Sequence, residues 1–109
     1  MNNSLTDVTC PECRGTIWEV RRGDAKDHRC RVGHSYSAKT MLVDHSVAQE
    51  TAMYAAIVAL EEGASLARRL ADLFGSDVAE RLRSESQHRQ AEAESIRQLL
   101  ENRHGLELP

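Results

Sequence analysis

The sequence is poor in aromatic residues: Trp18, Tyr36, Tyr54 and Phe74 are all it has in 109 positions. That excludes a large aromatic core and disfavours a sandwich or barrel, whose strands draw on such side chains. Long apolar runs are also missing. None approaches the ~18 residues of a membrane-spanning helix, so no membrane association is expected. The opening "MNNSLTDV" has neither a basic n-region nor an apolar h-region. It is therefore not read as a secretory signal, and residues 1–8 are read as a flexible polar tail. A strong basic field is absent too. The formal net charge is −3, with six Lys or Arg against five Asp or Glu in residues 1–36 and eight against twelve in 37–109. Nucleic-acid binders cluster cations to neutralise phosphates, so nucleic acid is not the expected partner.

Cysteine is scarce and odd in number. Three residues, all in the first third of the chain, cannot close a disulfide framework. Two of them form a Cys-x-x-Cys pair. A reducing cytoplasm and a metal fit this better than an oxidising compartment.

What the sequence does contain is a ligand pattern. Cys10 and Cys13 stand in "CPEC"; sixteen residues later come Cys30 and, after three more, His34 in "CRVGHSYS". Zn²⁺ takes four tetrahedral ligands in structural sites and prefers thiolate and imidazole. A Cys-x-x-Cys turn offers two of them. A second turn must offer the other pair, and a β-hairpin carries both turns to one end. The segment "TIWEV" alternates like a strand, "RRGDAK" contains the Gly23-Asp24 turn signal, and "DHRCRV" returns. Gly15 and Gly33 are placed where positive φ would ease the turns. Cys10, Cys13, Cys30 and His34 are therefore the expected ligands of one structural Zn²⁺. His28 competes for the fourth place but lies only two residues before Cys30 on the same strand. Iron at the same ligands, or a redox Cys-x-x-Cys, are the alternatives; the second lacks a surrounding βαβ pattern. His45, His88 and His104 read as surface histidines. A ribbon of about thirty residues has too little core to fold without its metal. Trp18, Val32 and Tyr36 are expected to seat it against Met41 and Leu42.

From Ser37, a good N-cap, the chain reads as helix. Ala48, Ala52, Ala55, Ala59, Gly63, Leu66 and Leu70 recur in steps of three and four and predict one buried stripe. "FGSD" breaks the helix, with Gly75 as its stop and Ser76 as the next N-cap. A second helix runs from Asp77 to about Arg103, with Val78, Leu82, Ala93, Ile96 and Leu100 as its stripe and Gly105 as its end. The short turn makes the helices antiparallel, pairing Leu70 with Leu82, Ala59 with Ala91 to Ala93, and Ala52 with Leu99 and Leu100. The middle of the second stripe is polar: Glu85, Ser86 and Arg89 are solvated or satisfied by a partner. Such a thin seam also suits a homodimer through the helices. Glu61-Glu62 and Glu92/Glu94 read as solvated faces, so no catalytic residues are assigned.

The expected architecture is thus α with a small β part. A tail (1–8) precedes a zinc-ribbon hairpin (9–36) and a long antiparallel helical hairpin (37–109).

"TCPECRGTIWEV" followed by "HRCRVGHSYSAKTML" and an alanine-rich helix resembles the C-terminal extension of some bacterial chemotaxis-type (CheB-like) protein-glutamate methylesterases. Those extensions look like a Cys-Pro-Glu-Cys-Gly-Gly segment with a Leu-Trp-Glu strand, then an Arg-Cys-x-Val-Gly-His-x-Tyr-Ser segment leading into a long helix. The resemblance covers Thr9 to Leu70 and implies the same four ligands, position by position. Arg14 departs from it, standing where the relatives have glycine; Gly15 is expected to take over that role. No Gly-x-Ser-x-Gly nucleophile turn is present, so the esterase activity is not carried over. The resemblance implies an accessory module standing alone, a non-enzymatic protein-interaction domain beside chemotaxis or two-component proteins. The alternative is a zinc-ribbon nucleic-acid-binding or regulatory protein.

Overall fold

The computed structural model describes residues 3–104. Its chain order is four strands and two helices: β1 (Asn3–Thr9), β2 (Thr16–Arg22), β3 (Ala25–Cys30), β4 (Ser35–Ser37), α1 (Ala38–Ala71) and α2 (Ser76–Glu101). The fold class is the one read from the sequence, a small β part followed by a helical hairpin. The chain divides into two compact units, one through Gln49 and one from Glu50 on, so the division falls inside α1.

The first unit is built on an antiparallel sheet of order β1-β2-β3-β4. The expected hairpin is its centre: β2 and β3 pair from Ile17–Cys30 to Arg22–Ala25 around Gly23, whose φ is +62°. The tail expected at residues 1–8 is corrected from Asn3 on, because β1 pairs with β2; Met1 and Asn2 lie outside the described residues. The polar composition of β1 is that of an edge strand. Its register shifts between Leu5 and Thr9, and there Thr6 replaces part of the ladder. The Thr6 hydroxyl donates to the Ile17 carbonyl at 2.7 Å and accepts from the Val8 N–H at 3.1 Å.

Strand alternation sorts this sheet. Ile17 and its partner Cys30 face a small core with Cys10, Tyr36 and Met41, and Val8 packs at its margin. Tyr36 and Met41 were expected there; Trp18, Val32 and Leu42 were not found there. Trp18 is one residue out of phase with the fully buried Ile17, so it stands on the opposite face at 37% exposure, and Val32 is 75% exposed. Ser37 caps α1 as expected: its Oγ accepts from the Thr40 N–H at 3.2 Å, at the third helical position.

The second unit is the helical hairpin. Its register agrees with the counting from the turn: Glu61 meets Arg97, Gly63 meets Arg89 and Asp72 meets Arg83. The buried face of α1 is corrected. It is Ile57, Ala64, Ala67 and Ala71, while Ala52, Ala55, Ala59, Leu66 and Leu70 are exposed. On α2, Leu82, Ile96 and Leu100 are half-buried and Ala93 is buried as expected, but Ala79 rather than Val78 faces inward. The polar middle is mixed: Glu85 is exposed and pairs with Arg89 at 3.1 Å, whereas Ser86 is satisfied inside the hairpin. Ser86 is buried and donates to the Ala64 carbonyl at 2.7 Å. Arg89 lies across Gly63, close enough that a Cβ there would sit 2.7 Å from its Nη1. That contact accounts for a glycine in mid-helix. Replacing Ser86 by alanine is expected to cost about 1 kcal/mol, the usual net worth of such a bond, measurable by urea denaturation.

The turn is also corrected. Gly75 is not a left-handed stop but the N-cap of α2, extended at φ −66° and ψ 167° with no side chain to donate or accept. Nothing lies within 4 Å of a Cβ built there. Gly75→Asp is therefore expected to stabilise the hairpin by roughly 1 kcal/mol, through a cap and a less flexible unfolded chain. A higher midpoint in thermal unfolding checks it. α2 ends at Glu101 with Asn102 as C-cap, and the expected stop at Gly105 lies outside the described residues.

Candidate metal centre

Two backbone turns aim four side chains at one point. In the first, after β1, the Arg14 N–H closes on the Cys10 carbonyl at 2.9 Å and the Cys10 N–H on the Gly15 carbonyl at 2.6 Å. The positive φ that the turn needs falls on Arg14 itself, at +65°, and not on Gly15 as expected. Gly15 instead leaves room for sulfur: a Cβ there would lie 3.4 Å from Cys13 Sγ. In the second turn, between β3 and β4, the Gly33 N–H meets the Cys30 carbonyl at 3.2 Å, with Gly33 at φ +114°. The Cys30 N–H returns to the His34 carbonyl at 3.1 Å. Because β2 and β3 pair up to Ile17–Cys30, the hairpin delivers both turns to the same end of the sheet.

All four expected ligands meet, their donor atoms within 4.8 Å of one another. No other such group of His, Cys, Asp or Glu occurs among the described residues. Cys13 Sγ is 3.6 Å from Cys30 Sγ, and His34 Nδ1 is 3.3 Å from Cys30 Sγ and 3.6 Å from Cys10 Sγ. A tetrahedral ion with bonds of ~2.3 Å to sulfur and ~2.0–2.1 Å to nitrogen needs S···S edges of ~3.8 Å and S···N edges of ~3.6 Å. These three spacings match within a few tenths of an ångström, and no other pair of donor atoms exceeds 4.8 Å. The four side chains can therefore hold one metal ion. His28 is not among them: it lies on β3 opposite Glu19, and its buried Nδ1 has no hydrogen-bond partner among the described residues.

A layer of hydrogen bonds orients the ligands. His34 presents Nδ1 to the sulfurs and places Nε2 3.0 Å from a Glu12 carboxylate oxygen. The other oxygen of Glu12 accepts from the Tyr36 hydroxyl at 2.8 Å, and that hydroxyl is 3.4 Å from Cys10 Sγ. A carboxylate behind the imidazole fixes its tautomer and raises its basicity as a ligand. Sequence reasoning gave Glu12 no such role. The signal was available, since Glu12 sits between the first two ligands and Tyr36 two residues beyond the fourth.

The electrostatics suit a cation. Burial pushes the Cys30 thiol up, but the backbone N–H groups of His34 and Gly33, with the Cys13 and His34 side chains, outweigh it and bring it from 9.0 down to about 6. Burial likewise opposes ionisation of Cys10, yet the Tyr36 hydroxyl and the N–H groups of Cys13 and Glu12 lower it overall. For Cys13 the Gly15 N–H pulls down, but burial and the two neighbouring cysteines push harder and leave it raised. Hydrogen bonding to Cys30 raises His34 despite its desolvation. Three thiolates cannot share this space without a positive charge among them. A metal cation bound there would supply that charge, and its binding would expel protons.

Opposite the covered side, the same end of the sheet presents a bare face. Trp18, Leu5 and Val32 line a cleft of about 540 Å³ with Cys13, Gly15, Thr16 and Arg31. Arg29 and Val20 adjoin Trp18. No described helix is long and apolar enough to cross a membrane. Searches of family models, curated proteins and solved structures found no match to the chain.

Proposed function

We propose that the chain is a non-enzymatic protein-interaction module whose sheet is held together by one structural Zn²⁺ at Cys10, Cys13, Cys30 and His34. The observation that carries this reading is the closed set of four protein ligands. A catalytic zinc keeps a position open for water or substrate, and an ion held by four protein side chains has none. The choice of zinc over iron rests on the mixed sulfur and nitrogen set with a carboxylate behind the imidazole. The metal then serves to present the bare face around Trp18, an aromatic side chain suited to anchoring a partner. A setting in bacterial chemotaxis or two-component signalling, in the cytoplasm, rests on the two quoted sequence motifs alone.

The test is affinity capture with quantitative mass spectrometry, comparing the metal-loaded chain with Trp18→Ala. A partner retained by the first and lost by the second, at equal metal content, supports the reading. Identical captured proteins would sink the role assigned to this face.

One observation favours a second reading, single-stranded nucleic acid. Arg29 and Arg31 flank Trp18. The interfering carboxylates are partly removed: Glu12 is engaged by His34 and Tyr36, and Glu19 faces the other side with Lys26. Stacking on an aromatic beside arginine is how such strands are held. Quenching of Trp18 by an oligonucleotide at low salt, relieved at high salt, would favour this reading. The absence of quenching at low salt would remove it.

A further inference from the structure

In the second unit α1 carries two apolar stripes, and α2 covers one of them. The covered stripe is Ile57, Ala64, Ala67 and Ala71. The other is Ala52, Ala55, Ala59, Leu66 and Leu70, spaced like a helix face and exposed, with Leu66 at 56%; Leu73, in the turn after α1, is 75% exposed. A helix apolar on two sides next to a polar one is the inner member of a larger bundle. The second stripe is ordered along the chain: its first half is small residues, its second half leucines. It is also charged in order. Between Ala52 and Ala67 the acids Glu61 and Glu62 are its only charges, and Arg68 and Arg69 follow.

We infer that this stripe pairs with its own copy, α1 against α1 of a second chain running antiparallel about a two-fold axis near Ala64 and Ser65. In that register Leu70 of one chain packs on Ala59 of the other. Large side chains fill the space over small ones, as close packing requires. Glu62 then stands two positions from the residue that faces Arg69 of the second copy, within reach of that long side chain. Among the described residues Arg69 meets Ser65 Oγ at 3.4 Å, and Glu61 stays with Arg97. A parallel pair would set leucine against leucine, alanine against alanine, and like charges against each other. The isologous antiparallel arrangement is therefore the one this sequence complements. The result is a four-helix core from two hairpins, independent of the metal centre.

Sedimentation of the metal-loaded full chain over a range of concentrations tests this. The expected species is twice the 12.2 kDa chain mass. Leu66→Glu with Leu70→Glu is expected to give single chains with helicity and metal content unchanged. Arg69→Glu alone places two acids together at each end of the pair and is expected to weaken association roughly tenfold or more. Glu62→Arg in the same chain is expected to restore it, which a merely structural role of either residue would not do. A wild-type chain that sediments as a monomer at all concentrations would overturn the inference. So would a dimer that persists in the double glutamate variant, or a charge swap without rescue. Metal content measured on the same samples separates this outcome from that of the zinc site.

Discussion

Cys30→Ser is expected to lose the bound metal and unfold the first unit. The reason is the size of what remains. Apart from the two buried cysteines, the core of this unit is Ile17, Tyr36 and Met41, with Val8 at its edge. Such a core is too small to order four strands, and structural zinc supplies apparent binding energies of about 10–16 kcal/mol in comparable small domains. Trp18 is the single tryptophan and sits on β2, so its emission reports the sheet alone. It is expected to shift to that of a solvated indole. The helical hairpin from Glu50 on contains none of the ligands, so the 222 nm circular dichroism should fall much less. A Cys30→Ser chain that keeps one metal and an unchanged Trp18 emission would show that Cys30 is not a ligand.

Glu12→Gln is expected to weaken metal binding by about 10–100-fold while leaving the apo protein little changed. The carboxylate accepts from His34 Nε2 at one oxygen and from the Tyr36 hydroxyl at the other. An amide has only one oxygen to offer these two donors, and its NH₂ group would face one of them. Its charge is also gone, and with it part of the field that favours a cation at Nδ1. Glu12 is exposed, so the substitution leaves no cavity and strands no buried charge. Competition with a chromophoric chelator measures the affinity. Equal affinities for wild type and variant would show that Glu12 merely lies nearby.

The clustering of the four expected ligands was legible in the sequence because metal chemistry restricts residue type and spacing together. Cys10, Cys13, Cys30 and His34 needed no tertiary knowledge beyond a hairpin between two turns. The helices and their register were legible because a short turn leaves two neighbours one way to run. What failed was the choice of face. In α1 the stripe through Ala52, Ala59, Leu66 and Leu70 is as periodic as the one through Ile57, Ala64 and Ala71, and periodicity alone cannot say which of two stripes meets the neighbouring helix. The polar strand β1 failed for a related reason. Its residues carry weak strand propensity, and pairing with β2 overrode it. Trp18 was assigned to the core by size, whereas alternation from Ile17 decides its side of the sheet.

One measurement tests the central claim most directly: metal content of the purified chain by elemental mass spectrometry, with Trp18 emission followed before and after chelation. The account predicts one zinc per chain and loss of the folded Trp18 signal when the zinc is removed. A chain without bound metal, or one whose Trp18 signal survives its removal, would contradict it and return Cys10, Cys13 and Cys30 to redox or regulatory chemistry.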